Sequence, residues 1–574
     1  MQDFNKQIFK LQYSVNKSNK KSISFTQKNV QILIGAGILI TLIYTPWFSK
    51  DSLAVPKQTL LFMTAMYFLP KIIFEVSSII RLKYGKLILV LLALILIQLI
   101  LVIFLSGAPI EQQIYGRDGR LLGIITFFSV IIIFLTAIRY IDTFNLNILL
   151  AGVFASNIFI SIYAVMQSYG VDFFKWESRT NQVISTLGNP NYVSAFTAMA
   201  LLPSVVYVKK FRIRYFNQVI ITLFTLFTIY RTQSIQGFIA VFFAGNIYLL
   251  IHVIYRYRRF LPYFVIYLFT SSVIAVSGTL GYGPLSNFLY KVSVQSRGDF
   301  WRSAWNMVKS NPVFGVGLDS FGENYLKYRD EIAANHVFAE FTDSAHNYLL
   351  DYAAFGGIVL LILHGFLIAL TVFIFIRLQL KLRQFNENIT SIFAAWCAIQ
   401  STLFISPISL PALFWSNIFS GAIIGIGLRT LNLEHGLDYS GEKNFYKLRT
   451  LMMPISAILA LFLMLPLINS DRLYLRSLNT LDGNLGIKVV NDFPRSTQKY
   501  ATVGRLLFES AQYKYSLEVA KNSIVFNSKT VTGYALIMAN PLASYQERTN
   551  AKNIILTLDP FNKEVPEYQI VQPN

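Results

Sequence analysis

Cysteine is nearly absent: Cys397 is the single thiol in 574 residues. One thiol makes neither an internal disulfide nor a multi-thiolate metal site, so a disulfide-built secreted domain and a structural zinc module are excluded. Charge is scarce too. Only 14% of the residues are Asp, Glu, Lys or Arg, against about 25% in soluble domains. Apolar residues take their place, at 54% with 15% aromatic. They come in blocks of about 20, the length a helix needs to cross roughly 30 Å of hydrocarbon. A mainly cytosolic enzyme is therefore excluded, and the chain reads as a polytopic membrane protein. Cys397 lies inside one such block and reads as a small packing residue.

The blocks place candidate spans at 30–48, 58–77, 87–105, 121–138, 147–168, 192–208, 215–230, 237–254, 261–281, 347–376, 390–405, 412–428 and 450–469. The expected fold is all-α, a bundle of about 12–13 transmembrane helices. Its second span carries Lys71 and Glu75, which are costly in lipid and are expected to pair, snorkel or face a polar interior.

The formal charge of +21 resembles a nucleic-acid footprint until its location is read. With the N-terminus in the cytoplasm, 24 basic residues fall in inside segments and 7 in short outside loops. Six acids inside leave +18 of the charge on that side. This is the positive-inside bias of a membrane protein, and no nucleic-acid partner is expected. The basic N-terminal stretch is too long for an ordinary signal peptide and lacks an evident cleavage site, so the first apolar block reads as a retained anchor.

The topology divides the chain into a cytoplasmic segment at 1–29, a membrane domain at 30–469 and an outward tail at 470–574. The membrane domain carries a long outward loop at about 282–346. In the tail, the stretches Ala501–Ala511, Tyr515–Ile524 and Arg548–Leu558 have helical patterning, and Asp559-Pro560 closes the last. An Ala-rich helix pair, a small-residue turn and an Asp-Pro stop resemble tetratricopeptide repeats, which bury their faces by stacking.

The outward loop contains Gln295-Ser-Arg-Gly-Asp-Phe-Trp-Arg-Ser-Ala-Trp305, Asn311-Pro-Val-Phe-Gly-Val-Gly-Leu-Asp-Ser-Phe321 and Asp343-Ser-Ala-His-Asn-Tyr-Leu-Leu-Asp-Tyr-Ala-Ala-Phe-Gly-Gly357. In order and spacing these resemble the outward loop of the bacterial O-antigen ligase and O-antigen polymerase-like membrane glycosyltransferases. Leu187-Gly-Asn-Pro-Asn-Tyr192 and Ile114-Tyr-Gly-Arg-Asp-Gly-Arg-Leu-Leu-Gly123 agree with the likeness. The resemblance implies transfer of a glycan from a polyprenyl-diphosphate donor to a hydroxyl of a lipid, glycan or protein acceptor. It implies the outer face of the bacterial cytoplasmic membrane, and a place in cell-envelope polysaccharide biosynthesis.

Such a transfer needs cations for the leaving diphosphate and a base for the acceptor hydroxyl. Arg297 and Arg302 suit the first task, since a guanidinium holds phosphate oxygens through paired hydrogen bonds. On a helix their spacing of five spreads them around the axis, so Arg297, which matches the family's arginine, is the expected catalytic group and Arg302 a helper. The alternative is that both pair with Asp299 or other loop acids. His346 stands where the family's proposed base falls, and its imidazole titrates near neutrality. His336 is its competitor in the loop.

Asp319 and Asp343 are candidates to orient the histidine. Gly315 and Gly317 read as a tight turn after Pro312, because no Lys-Ser/Thr follows as in a P-loop. Asn189 and Asn191 are candidate donor ligands or helix caps around Pro190. Arg117 and Arg120 are candidates to add positive charge near the diphosphate, with ordinary loop charge as the alternative. In one departure from the family pattern, Arg231 stands nearer its span, and is carried over as a second diphosphate contact. No Asp-x-Asp pair or metal-ligand spacing stands out in the outward loops, so neither metal nor cofactor is expected. A polymerase extending one lipid-linked repeat with another shares this donor chemistry. A non-enzymatic glycan-lipid carrier would instead place paired ionisable groups at the midplane of inverted halves, a symmetry the chain lacks.

Overall fold

A computed structural model of the chain describes residues 20–174, 183–290, 292–336, 341–431 and 446–570. Every one of the thirteen apolar blocks is a helix. In chain order they are α1 (Lys20–Leu42), α2 (Ala54–Ile80) and α3 (Gly85–Leu105), then after the short α4 (Ile110–Tyr115), α5 (Ile124–Tyr140), α6 (Leu146–Ser168), α7 (Pro190–Val208), α8 (Arg214–Arg231), α9 (Ile235–Arg256) and α10 (Leu261–Thr279). The loop contributes α11 (Ser286–Leu289), α12 (Val292–Ser310), α13 (Phe321–Tyr328) and α14 (Glu331–Asn335). The bundle closes with α15 (Tyr348–Leu382), α16 (Glu387–Leu403), α17 (Leu410–Leu431) and α18 (Tyr446–Thr480). Nine described helices are long and apolar enough to cross a membrane, and the described residues contain no strand. The protein is therefore an all-α, multi-pass membrane protein.

The first helix ends at Leu42, short of the expected 48. Pro46 accounts for this: the ring disfavours helical geometry in the residue before it and supplies no N–H. At the other end, α18 runs without interruption from the last apolar block into residues 470–480.

The bundle core is one apolar cluster that includes Phe68, Phe134, Phe355, Phe414 and Trp415. The strongest helix pairings are α2 with α18, α5 with α17, and α7 with α16. By contrast, α10 buries almost nothing and leaves Val265, Ile266 and Phe269 exposed, as a lipid-facing helix does. Lys71 and Glu75 both have partners: Lys71 donates to Asn29 at 2.6 Å, and Glu75 forms an ion pair with Arg139 at 2.8 Å and accepts from Tyr140 at 2.7 Å and from Arg449. This buried network ties α1, α2, α5 and α18 together, with the Glu75 carboxylate between Arg139 and Arg449.

The loop is clamped to the bundle through a break in α15. Gly356 and Gly357 leave helical geometry, the latter with φ +73°. A side chain at Gly357 would collide with the carbonyls of Pro312 and Val313, at 2.5 and 2.4 Å. The turn after Pro312 fills this break: Ile358 N–H donates to Pro312 O at 2.8 Å, and Val316 N–H to Ala354 O at 2.7 Å. Gln98 of α3 adds donations to Val313 O and Gly356 O at 2.7 and 2.9 Å. The turn expected at Gly315 and Gly317 is present, with φ +61° and +105°, and it fixes α12 over the start of α15.

Beyond α18, the tail consists of α19 (Gly483–Asn491), α20 (Thr497–Glu509), α21 (Tyr513–Phe526), α22 (Val531–Ala539), α23 (Tyr545–Leu558) and α24 (Glu564–Glu567). Each helix from α20 to α23 packs on the next, and α20 also packs on α22. Two small apolar cores result, one around Val489, Tyr500 and Leu507, the other around Ile537, Ala551 and Ile555.

Candidate active site

Three segments far apart in the chain meet around His346. The first is the start of α15. Asn347 caps it, its side-chain oxygen accepting the N–H groups of Leu349 and Leu350 at 3.1 and 3.3 Å. His346, just ahead, has φ +52°. The turn is held by His346 N–H donating to Ser344 Oγ at 3.2 Å and Ala345 N–H donating to Asp351 Oδ1 at 2.7 Å.

The second segment is α12. Its Phe300 lies against the His346 ring, with centroids 5.4 Å apart. Arg297, three residues earlier, shares that face of the helix. Among the described residues Arg297 has no hydrogen-bond or ion-pair partner, and its Nε is buried without one. Burial lowers its pKa. A largely buried cation without a counterion is unfavourable in isolation and suits an anionic ligand.

The third segment is the turn between α4 and α5. Asp319 Oδ2 accepts the N–H groups of Arg117 and Leu122 at 2.7 and 2.9 Å. From α2, Gln58 Nε2 donates to Tyr115 O at 2.6 Å and Leu121 O at 3.0 Å. So fixed, Arg120 Nη1 donates to Asp343 O at 3.0 Å and lies 3.3 Å from Asp343 Oδ1. Its Nη2 is buried with no hydrogen-bond partner. Arg117 Nη1 is 3.4 Å from Asp343, and its Nε is 3.5 Å from Glu323. Gly322 makes room for this guanidinium, since a Cβ there would stand 2.4 Å from Nη1. Tyr192, in the first turn of α7, lies beside Arg120.

These neighbours decide the protonation of the histidine. Burial, then the cations of Arg120 and Arg297, depress the His346 imidazole from 6.5 to about 4, against the opposing pull of Asp343. At neutral pH the ring is uncharged and able to accept a proton. Burial raises the Asp343 carboxyl, but Arg120 and Arg117 outweigh it and hold the group below the usual carboxylate range. Burial pushes Asp319 up to about 6, against Arg120 and its two backbone donors.

The other expected residues stand elsewhere. Arg302 pairs with Asp299 at 2.6 Å and with Asp330, while His336 Nδ1 lies 2.6 Å from the same Asp299. These loop acids are the alternative partners that the spacing of Arg297 and Arg302 left open. Arg231 donates to Ser168 O and lies over the Tyr169 ring, 4.6 Å from its centroid. Asn189 caps α7 by accepting Asn191 N–H at 2.8 Å. Asn191 Oδ1 accepts from Ser234 at 2.7 Å. Asp319 shapes the arginine turn, whereas Asp343 is the acid beside the histidine. Among the described residues, no three His, Cys, Asp or Glu side chains gather as a metal site.

Two residues of the cluster, Asp351 and Tyr192, lie inside the quoted motifs but were given no role by the sequence. Each sits in the first turns of an apolar span, as a polar group near a helix start. Tyr192 also lines a groove of about 420 Å³ between α7, α9, α16 and α17, whose walls include Leu187, Phe196, Met199 and Leu403.

The described residues thus form a multi-pass helical bundle that holds a cluster of arginines beside a neutral histidine. Residues 220–365 match the model of the O-antigen ligase family. The match takes in α12, Arg297, Asp319 and His346, and it supports a membrane glycosyltransferase activity in general. The turn with Arg117 and Arg120, Asn189, Asn191 and the tail lie outside it. No curated protein matches the chain.

Proposed function

We propose that the protein transfers a glycan from a polyprenyl-diphosphate donor to an acceptor hydroxyl at the outer face of the cytoplasmic membrane. The observation that carries this reading is the unpaired, largely buried Arg297 next to His346, with a second unsatisfied guanidinium nitrogen on Arg120. Arg297 and Arg120 hold the diphosphate, and Arg117 lies behind Arg120 on the same Asp343. The prenyl chain lies in the groove that shares Tyr192 with the charged site.

In the transfer, the acceptor oxygen bonds to the anomeric carbon as the bond from that carbon to the diphosphate oxygen breaks, with inversion. The hydroxyl proton passes to a ring nitrogen of His346, and the leaving diphosphate keeps the bonding electron pair beside the arginines. Guanidinium donors aimed at that developing charge lower the barrier. Donor binding also prepares the base: the diphosphate offsets the two cations that suppress protonation of His346, so the proton affinity of the imidazole rises when the donor is present. The donor carries its own leaving group, so the step draws on neither nucleotide sugar nor ATP. The tail, as a short tetratricopeptide-like array, covers the site.

Purified protein in lipid nanodiscs, given a polyprenyl-diphosphate oligosaccharide and a hydroxyl acceptor, should transfer the glycan in excess EDTA and release the lipid diphosphate. Strict dependence on a divalent ion, or movement of intact donor across the bilayer with no transfer, would reject the reading. Lipid-linked products longer than one repeat would identify the polymerase form of the same chemistry.

A further inference from the structure

Four consecutive tail residues grip the segment that carries the two arginines. Arg495 forms an ion pair with Glu111 of α4 at 2.6 Å and also gives that carboxylate its backbone N–H. Ser496 Oγ donates to Asp118 at 2.7 Å. Thr497 Oγ1 donates to Gln112 Oε1 at 3.1 Å and accepts from Asn527 Nδ2 at 3.1 Å. Gln498 Oε1 accepts from Arg117 Nη2 at 3.0 Å. Nearby, the Phe493 ring meets Tyr115 edge-on at 5.7 Å.

The grip reaches the turn itself through one buried path. Gln112 Nε2 donates to the backbone carbonyl of Asp319 at 3.1 Å, and the Asp319 carboxylate holds the N–H groups of Arg117 and Leu122. Asn527, Thr497, Gln112 and Asp319 are all buried. In such a chain the loss of one partner leaves the next group unsatisfied in a low-dielectric setting, so the cost passes along it. Away from this path the tail is anchored a second time, where Arg329 of the loop meets Asp559 at 2.7 Å. The tail therefore stays docked when the path alone is cut.

The geometry points to the tail as a working part of the site: residues 495–498 set the position of Arg117 and Arg120, with Thr497 and Gln112 as the positioning residues. This rests on the reading that Arg120, backed by Arg117, holds the donor diphosphate. It adds that the site is incomplete without a domain more than 370 residues further along the chain. Thr497 and Gln112 touch no substrate and act through Asp319 and the turn.

The test uses the full chain in detergent or nanodiscs, with Thr497→Val and Gln112→Ala against the conservative Thr497→Ser. Hydrogen exchange should quicken across residues 110–122 in the first two and not in α16. Inorganic pyrophosphate should bind about tenfold more weakly, as for the loss of one buried hydrogen bond. The KM for donor should rise with the KM for acceptor unchanged, and Thr497→Ser should restore all three. Should Thr497→Val fail to fold, Arg495→Gln at the exposed end of the seam supplies the same comparison, with Glu111→Arg/Arg495→Glu as its rescue. Faster exchange at 110–122 in a protein that binds no pyrophosphate even as wild type would support the positioning and reject the diphosphate reading. Unchanged exchange there in both Thr497→Val and Gln112→Ala overturns the inference.

Discussion

Replacing Arg120 by Gln should raise the pKa of His346. Burial is the largest cause of its depression from 6.5 to about 4, followed by Arg120 and then Arg297. The full depression corresponds to about 3 kcal/mol against protonation. With burial intact, removing the Arg120 charge should return part of that depression and move the midpoint above about 4. The sign follows from charge: a neighbouring cation opposes the imidazolium, so its loss moves the titration upward. Diethyl pyrocarbonate reacts with neutral imidazole, and mass spectrometry of the peptide carrying His346 reads that residue among the five histidines. In the wild type the rate should stay on its neutral plateau down to pH 5. In Arg120→Gln the fall should begin at a higher pH than in the wild type. Asp343→Asn should move the midpoint the other way, since Asp343 alone pulls it upward. A wild-type midpoint near 6.5, or one that Arg120→Gln leaves in place, would refute the electrostatic reasoning, whatever the enzyme's activity.

Arg297→Lys should lose roughly a hundredfold in transfer rate at wild-type protein levels, because a point charge on a flexible stem does not reproduce paired hydrogen bonds. A loss under threefold would remove Arg297 from the leaving-group site. Asp319→Asn keeps an acceptor for the two backbone donors and removes a carboxyl whose folded pKa, about 6, lies above its ordinary 3.8. The folded wild type binds more protons than the unfolded chain between these values, so the contribution of Asp319 to stability falls as pH rises through that window. The melting temperature of Asp319→Asn relative to wild type should therefore increase from pH 5 to pH 7.5. A shrinking difference would contradict the assignment. For topology, Ser528→Cys in a Cys397→Ser background should label on intact cells with an impermeant maleimide, and Lys210→Cys only after the cells are opened. The reverse order would place the site on the cytoplasmic side.

The spans were legible because lipid imposes one requirement everywhere: each backbone polar group must bond within its own helix, and apolar blocks of span length announce this. Lys71 and Glu75 were legible as a problem, and their partners were not. Glu75 is bound by Arg139 and Arg449, residues 64 and 374 positions away. At the site, the loop motifs led to Arg297 and His346, and the five-residue spacing on α12 explains why Arg302 turns instead to Asp299 and Asp330. Arg120 was legible as a candidate charge near the diphosphate, but its partner was not. Its setting beside Asp343 comes from pairing a turn near residue 120 with a loop near residue 343, and no local pattern encodes that distance. The tail seam is further out of reach still, since Gln112 and Thr497 are ordinary residues until the fold puts them 3.1 Å apart.

Backbone strain gives a separate reason to regard this cluster as functional. Among the described residues, nine other than glycine have positive φ, and three of them, Leu121, Asp319 and His346, belong to the arginine turn, the acid that holds it and the histidine beside it. Left-handed geometry costs a residue with a Cβ about 1–2 kcal/mol. Glycine would relieve it at each of these positions. Leu121 has a packing reason to remain, being fully buried in the bundle core. Asp319 has a hydrogen-bonding reason, since its carboxylate holds two N–H groups that glycine would leave unsatisfied. His346 has neither on this scale. Its described packing is a tilted contact with Phe300, and its backbone N–H would be held by Ser344 whatever the side chain. A strained position occupied by a costly side chain with little structural return supports the base role proposed for His346, and the two cations and one acid around the ring are the groups that the pH and labelling experiments probe.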